Sequence, residues 1–220
     1  MRLISLLPIA LVLGTPTLIY ADTMLVGTDL STATHGGAAV LCPGGADCTD
    51  RASQFTLSTS VDIHSISVVL TAPAEALFRT PGSFTIGLGS QLGLGITTGV
   101  GAGAILFDPS GNPVTEEFTF SGLDLSLAPG TYFLGMVGGN AEWDYASPVS
   151  TAAGALGLQL SCDPAITCGS DITRWDKNYL TYAMEIDGTA ITPEPSTFAL
   201  LGTGILGLTR VARRKSLSQP

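Results

Sequence analysis

Residues 22–191 of the 220-residue sequence predict an all-β fold, an antiparallel β-sandwich of jelly-roll type. Three observations carry that prediction. Glycine (27) and proline (13) together make 40 of the 220 residues, well above their share of roughly 12% in average chains, so turn formers are dense. Charged residues are only 12% against 45% apolar, which argues against charge-rich disorder, a coiled coil or a long helical array. Between the turns, apolar residues alternate or gather in β-branched runs, and no segment outside the two ends shows a 3.6-residue period. The net charge of −9 argues against nucleic-acid binding, because phosphates require a basic face.

Residues 1–21 read as a signal peptide. Arg2 is followed by the apolar run from Leu3 to Leu13, and Ile19-Tyr20-Ala21 sets a small residue before Asp22. Signal peptidase is then expected to cut after Ala21. The apolar run is shorter than the roughly 20 residues a spanning helix needs.

The strands follow in order. Phe55 to Leu57 and Val61 to Thr71 are rich in β-branched residues and stop at Ala72-Pro73, and Ser83 to Leu88 follows the turn Pro81-Gly82. Residues 87–104 hold seven glycines and no charge. Gly87-Leu88-Gly89 begins like a dinucleotide fingerprint, but Leu92 replaces the third glycine and no helix follows, so a flexible or bulged hairpin is expected. Ala104 to Phe107 leads into Asp108-Pro109-Ser110-Gly111-Asn112-Pro113. Pro113 stands where a calcium loop demands glycine, so this reads as a turn held by Asp and Asn side chains. Val114 to Phe120 and the alternating Leu123, Leu125 and Leu127 come next. Pro129-Gly130 precedes Thr131 to Val137, and Leu156 to Leu160 and Tyr179 to Ile186 complete about nine or ten strands.

The chemistry-bearing residues are few. Cys42 and Cys48 enclose five residues, as do Cys162 and Cys168. In an oxidising compartment these are disulfide candidates. Three connectivities are open; the turn residues inside each pair favour the local one, and a four-thiolate zinc site is disfavoured by the spacing. His35 and His64 are the only imidazoles. No nucleophile elbow or zinc-protease motif accompanies them. His64 is expected on one strand face with Asp62 and Ile66, as a spectator. Glu142-Trp143-Asp144-Tyr145 follows Gly138-Gly139-Asn140, and Trp175-Asp176 with Tyr179 forms a second aromatic and acidic cluster. Trp143, Tyr145 and Trp175 are the candidates for stacking on sugar rings, weighed against packing at the rim of the core. No metal or cofactor motif is present in the sequence.

Residues 192–220 have a different pattern. Pro193-Glu194-Pro195 precedes the short apolar stretch from Phe198 to Ala212, and Arg210, Arg213, Arg214 and Lys215 lie at and beyond its end. Fifteen helical residues span about 22 Å, short of a hydrocarbon core of about 30 Å. The four cations favour a cytoplasmic end, with the middle of the chain outside the inner membrane. This three-part tail resembles the PEP-CTERM sorting domain, a tail also called an ice-binding protein C-terminal domain. The resemblance implies export in a bacterium with an outer membrane, often one making exopolysaccharide. It also implies recognition and cutting near Pro-Glu-Pro by an exosortase, a membrane cysteine transpeptidase, with the inner membrane a transient partner. Leu125 to Leu134 resembles the L-x-L-x-x-G-T-Y-x-L hairpin of secreted bacterial sandwich domains.

The passenger carries 17 acids against four bases, Arg51, Arg79, Arg174 and Lys177, so its charge is −13. The expected role is that of an exported, non-catalytic surface or matrix protein whose sandwich binds or builds in exopolysaccharide. The alternative is a carbohydrate-active hydrolase using two converging carboxylates about 5–10 Å apart.

Overall fold

A computed structural model describes residues 22–35, 40–41, 50–72, 82–92, 98–106, 108, 110, 112–138, 141–162 and 172–191. The expected signal peptide, Cys42, Cys48, Cys168 and the tail from 192 onward lie outside these residues. No helix among the described residues is long and apolar enough to cross a membrane; the expected membrane helix from Phe198 to Ala212 lies outside them.

The chain runs through β1 (Thr23–Thr34), the short β2 (Val40–Leu41), β3 (Asp50–Leu57), β4 (Ser60–Ala72) and β5 (Gly82–Gly89). It continues through β6 (Thr98–Ile105), β7 (Val114–Leu127), β8 (Gly130–Gly138), β9 (Ala141–Trp143) and β10 (Tyr145–Val149). β11 (Gly154–Cys162), a 3-10 turn at Ile172–Arg174, β12 (Asp176–Asn178) and β13 (Met184–Ile191) follow. All pairings are antiparallel. One sheet runs β10-β1-β13-β4 with β7 on the far side of β4, and the other runs β12-β11-β3-β8-β5-β6. If β1, β3, β4, β5, β6, β7, β8 and β13 are counted as strands one to eight, the sheets read 1-8-3-6 and 2-7-4-5. That is the double Greek key of a jelly roll, so the all-β, antiparallel expectation holds.

Four strands, β9 to β12, are inserted between the seventh and eighth of this frame. β10 extends one sheet past β1, and β11 with β12 extends the other past β3. β9 pairs with β4 at Leu70 and Thr71, just beyond the point where β13 ends its pairing at Val68.

The inner faces of the two sheets share one core. Leu25, Val61, Ile63, Ile66, Val68, Leu70 and Ile186 of one sheet meet Phe55, Leu57, Phe84, Ile86, Leu88, Leu134 and Met136 of the other, all buried. Each such side chain contributes roughly 1.5–3 kcal/mol of burial free energy. A smaller cluster, Ala52, Leu92, Phe133, Leu160, Cys162 and Trp175, forms separately. Cys162 is disulfide-bonded, and its partner lies outside the described residues.

The structure corrects several sequence expectations. His64 does not share a face with Ile66: a bulge between Ile63 and Ser65 resets the alternation, so Ile63 and Ile66 are both buried while His64 is half-exposed beside Asp22 at 2.5 Å. Opposite it, Gly122 supplies the bulge with φ +73°, a conformation glycine adopts without strain. Leu125 to Leu134 is not a hairpin, because β7 and β8 belong to different sheets; it is a corner. The Tyr132 hydroxyl donates to the Ala128 carbonyl at 2.9 Å, a tyrosine corner, and its ring stacks on Phe55. Residues 179–183 precede β13 instead of opening it, and β1, unmarked by sequence alternation, is the first frame strand. The glycine-rich hairpin forms as β5–β6, with a register shift at Gly87. Asp108 accepts from the Ser110 amide at 2.8 Å and from Asn112 at 2.9 Å. These bonds, the amide first, hold its carboxyl below the usual range. The turn is built as expected.

Candidate functional site

Trp143, Tyr145 and Trp175, the stacking candidates of the sequence, lie in the inserted segment, and the structure buries all three. Trp143, 1% exposed, points into the core, stacks on Tyr182 at 4.7 Å and donates its indole N–H to the Ala183 carbonyl. Tyr145, 5% exposed, stacks on the other side of Tyr182 at 5.6 Å. Trp175, 6% exposed, packs in the smaller cluster with Ala52, Phe133 and Leu160. For Trp143 and Trp175 the core role therefore prevails over sugar stacking, because an indole with no free face has nothing to offer a ligand.

One residue that sequence reasoning passed over organises this region. The Asn178 amide donates to the Tyr145 hydroxyl at 2.9 Å and to the Tyr182 hydroxyl at 3.4 Å, while its carbonyl oxygen accepts from the Leu180 amide at 3.2 Å. A single side chain thus ties the turn after β12 to the buried rings. Burial, more than any neighbouring charge, pushes the Tyr182 phenol up. The turn itself projects outward: Tyr179 is 99% exposed and Leu180 50%. With Thr32, Thr34, Tyr145, Ala146, Ser147, Pro148 and Thr181, these two residues line an open cleft of about 400 Å³ at the β1–β10 edge.

Two acid pairs occupy the sheet that contains β4. Glu142 on β9 and Asp144 just after it flank Trp143 in the sequence and face away from it by alternation. Glu142 lies 3.2 Å from the His35 ring. Asp144 is almost wholly buried; one carboxylate oxygen accepts from Thr71 at 2.9 Å, and the other has no hydrogen-bond partner among the described residues. Burial is the main cause that raises its affinity for a proton, partly opposed by Thr71 and by His35. On β13, Glu185 and Asp187 are within hydrogen-bond reach of each other. Burial first, then Asp187, Glu117 and Asp29, push the Glu185 carboxyl up to about 7. The pattern Glu185-Ile186-Asp187 would have marked this pair in the sequence, since alternate residues share a strand face.

Neither acid pair lines the cleft beside Tyr179, nor a second one of about 420 Å³ bounded by Leu88, Ser90, Asp124, Ser126 and Tyr132. No group of three or more His, Cys, Asp or Glu suited to a metal ion occurs among the described residues. The tail residues Pro193, Glu194, Pro195, Arg210, Arg213, Arg214 and Lys215 lie outside them. At residues 192–215 the sequence matches the model of the PEP-CTERM protein-sorting motif. No curated protein and no solved structure matches the chain.

Proposed function

From a C-terminal PEP-CTERM sorting motif, which implies an exported protein that is membrane-associated before an exosortase processes it, we propose that the jelly roll is a non-catalytic passenger. It is delivered to the cell surface or matrix, where it associates with exopolysaccharide. The motif is the observation that carries the reading, and the passenger's composition fits it. Few charges, a large shared core and a buried disulfide cysteine suit a domain that must persist outside the cell.

Both prolines of Pro193-Glu194-Pro195 disfavour helix, a composition that suits a segment a processing enzyme must cut. Fewer than 20 apolar residues make the following stretch a weak permanent anchor, which suits a segment held only until transfer.

Fractionation of the host with and without its exosortase tests the reading. The protein is expected in the surface and matrix fraction of the wild type and in the inner membrane of the deletion strain. Equal surface delivery in both strains would overturn the sorting role, and failure to co-fractionate with exopolysaccharide would overturn the association.

A further inference from the structure

We propose that the cleft at the β1–β10 edge is a binding site for an uncharged sugar ring, with Tyr179 as its stacking platform. The proposal rests on the reading of the passenger as a polysaccharide-associated domain and names the site and the ligand class. Tyr179 and Leu180 are both large exposed hydrophobics and sit side by side in one turn; the others among the described residues, Leu106, Ile172 and Ile191, are scattered singly. A fully exposed tyrosine ring costs hydrophobic free energy unless something covers it.

The turn that carries this ring is held in place. The Asn178 side chain bonds to the next backbone amide but one and to the hydroxyl of buried Tyr145. The Ala146 amide bonds to the Thr181 carbonyl at 3.0 Å, fastening the turn to β10. With the backbone of the turn already fixed, a ligand that lies on the ring need not order it.

The rest of the lining fits a sugar. Ser147 and Thr181 hydroxyls have no hydrogen-bond partner among the described residues, while Thr32 accepts from the Ser147 amide at 2.9 Å and Thr34 donates to the Tyr145 carbonyl. The lining therefore combines an aromatic face, apolar Leu180 and Pro148, and free hydroxyls that both donate and accept. No ionisable group other than tyrosine lines it. Asp29, which pairs in register with Ser147, is occupied by Ser31. Its charge, and the passenger's excess of acids, repel an anionic polymer. A neutral glycan meets no such penalty.

The test uses the full-length protein in detergent on an array of neutral and uronate-containing glycans, followed by calorimetry with the best neutral oligosaccharide. Because Tyr179 is 99% exposed, Tyr179→Ala leaves the fold intact. It is expected to weaken neutral-glycan binding roughly tenfold, whereas Tyr179→Phe retains it. Neutral-glycan binding unchanged in Tyr179→Ala overturns the proposed site and leaves the wider reading standing. Binding only to uronate glycans, or to no glycan on the array, also overturns the site; the wider reading then stands or falls on co-fractionation of the wild type with the host's exopolysaccharide.

Discussion

Several single residues do work that their neighbours could not take over. At Gly188 an added Cβ would collide with the Asp62 carbonyl, and at Gly27 it would meet the Met184 carbonyl oxygen at 2.6 Å. Both obstacles are backbone, so β13 would have to part from β4 or β1. Gly188→Ala is expected to cost roughly 1–3 kcal/mol or more, read as a lowered denaturation midpoint with an unchanged m-value. Tyr132 is a milder case. Tyr132→Phe keeps the ring against Phe55 and removes the bond to Ala128, so a loss of about 1 kcal/mol is expected. A loss several times larger would mean that the hydroxyl holds more than the corner.

At the scale of elements, the bulge in β7 shows how a local conformation serves the layer. With Leu125 opposite Ile63 and Ser121 opposite Ser65, β7 spends three residues where β4 spends one. The bulge lets Phe118, Phe120, Leu123 and Leu125 all pack on the core, which strict alternation would not allow. Gly122→Ala forces a Cβ into φ +73° and is expected to cost about 1 kcal/mol, although nothing lies within 4 Å of the added atom. Chemical denaturation of the variant measures strain alone. The alternating Leu123, Leu125 and Leu127 were legible as strand in the sequence, but the bulge before them was not. A single glycine in a strand pattern does not announce its φ.

For the whole molecule, two acids with raised proton affinity, Glu185 and Asp144, shape the response to pH. Burial and the neighbouring acids push the Glu185 carboxyl up to about 7 from an ordinary 4.5. Between these values the folded chain keeps a proton that the unfolded chain has released, so stability falls as pH rises from about 4.5 to about 7. Asp144, also raised, adds a loss of the same sign that begins near 3.8. Glu185→Gln should therefore leave the melting temperature nearly unchanged at pH 4 and raise it at pH 8. The gain is expected to be about 2–4 °C, the shift 1 kcal/mol produces in a domain of this size, since Glu185 is partly solvated. Equal effects at both pH values would reject the assignment. Separately, the two tryptophans are both buried. Native fluorescence should be blue-shifted and resistant to acrylamide, shifting red in one step on unfolding.

By itself the sequence determined the fold class and the tail. Turn density, low charge and β-branched runs are local properties, and Pro193-Glu194-Pro195 with its apolar and basic sequel is a contiguous signal that needs no fold to be read. The tertiary structure alone decided which aromatics are available. Trp143, Tyr145, Trp175 and Tyr179 look alike in sequence, each beside an acid or another polar residue. Strand alternation and the join between β9, β10 and β4 turn Trp143 inward, and packing over Ala52 and Leu160 covers Trp175. Only the turn pinned by Asn178 leaves Tyr179 in water. Exposure is fixed by what packs against a side chain from distant parts of the chain, and that is a long-range property no local pattern carries.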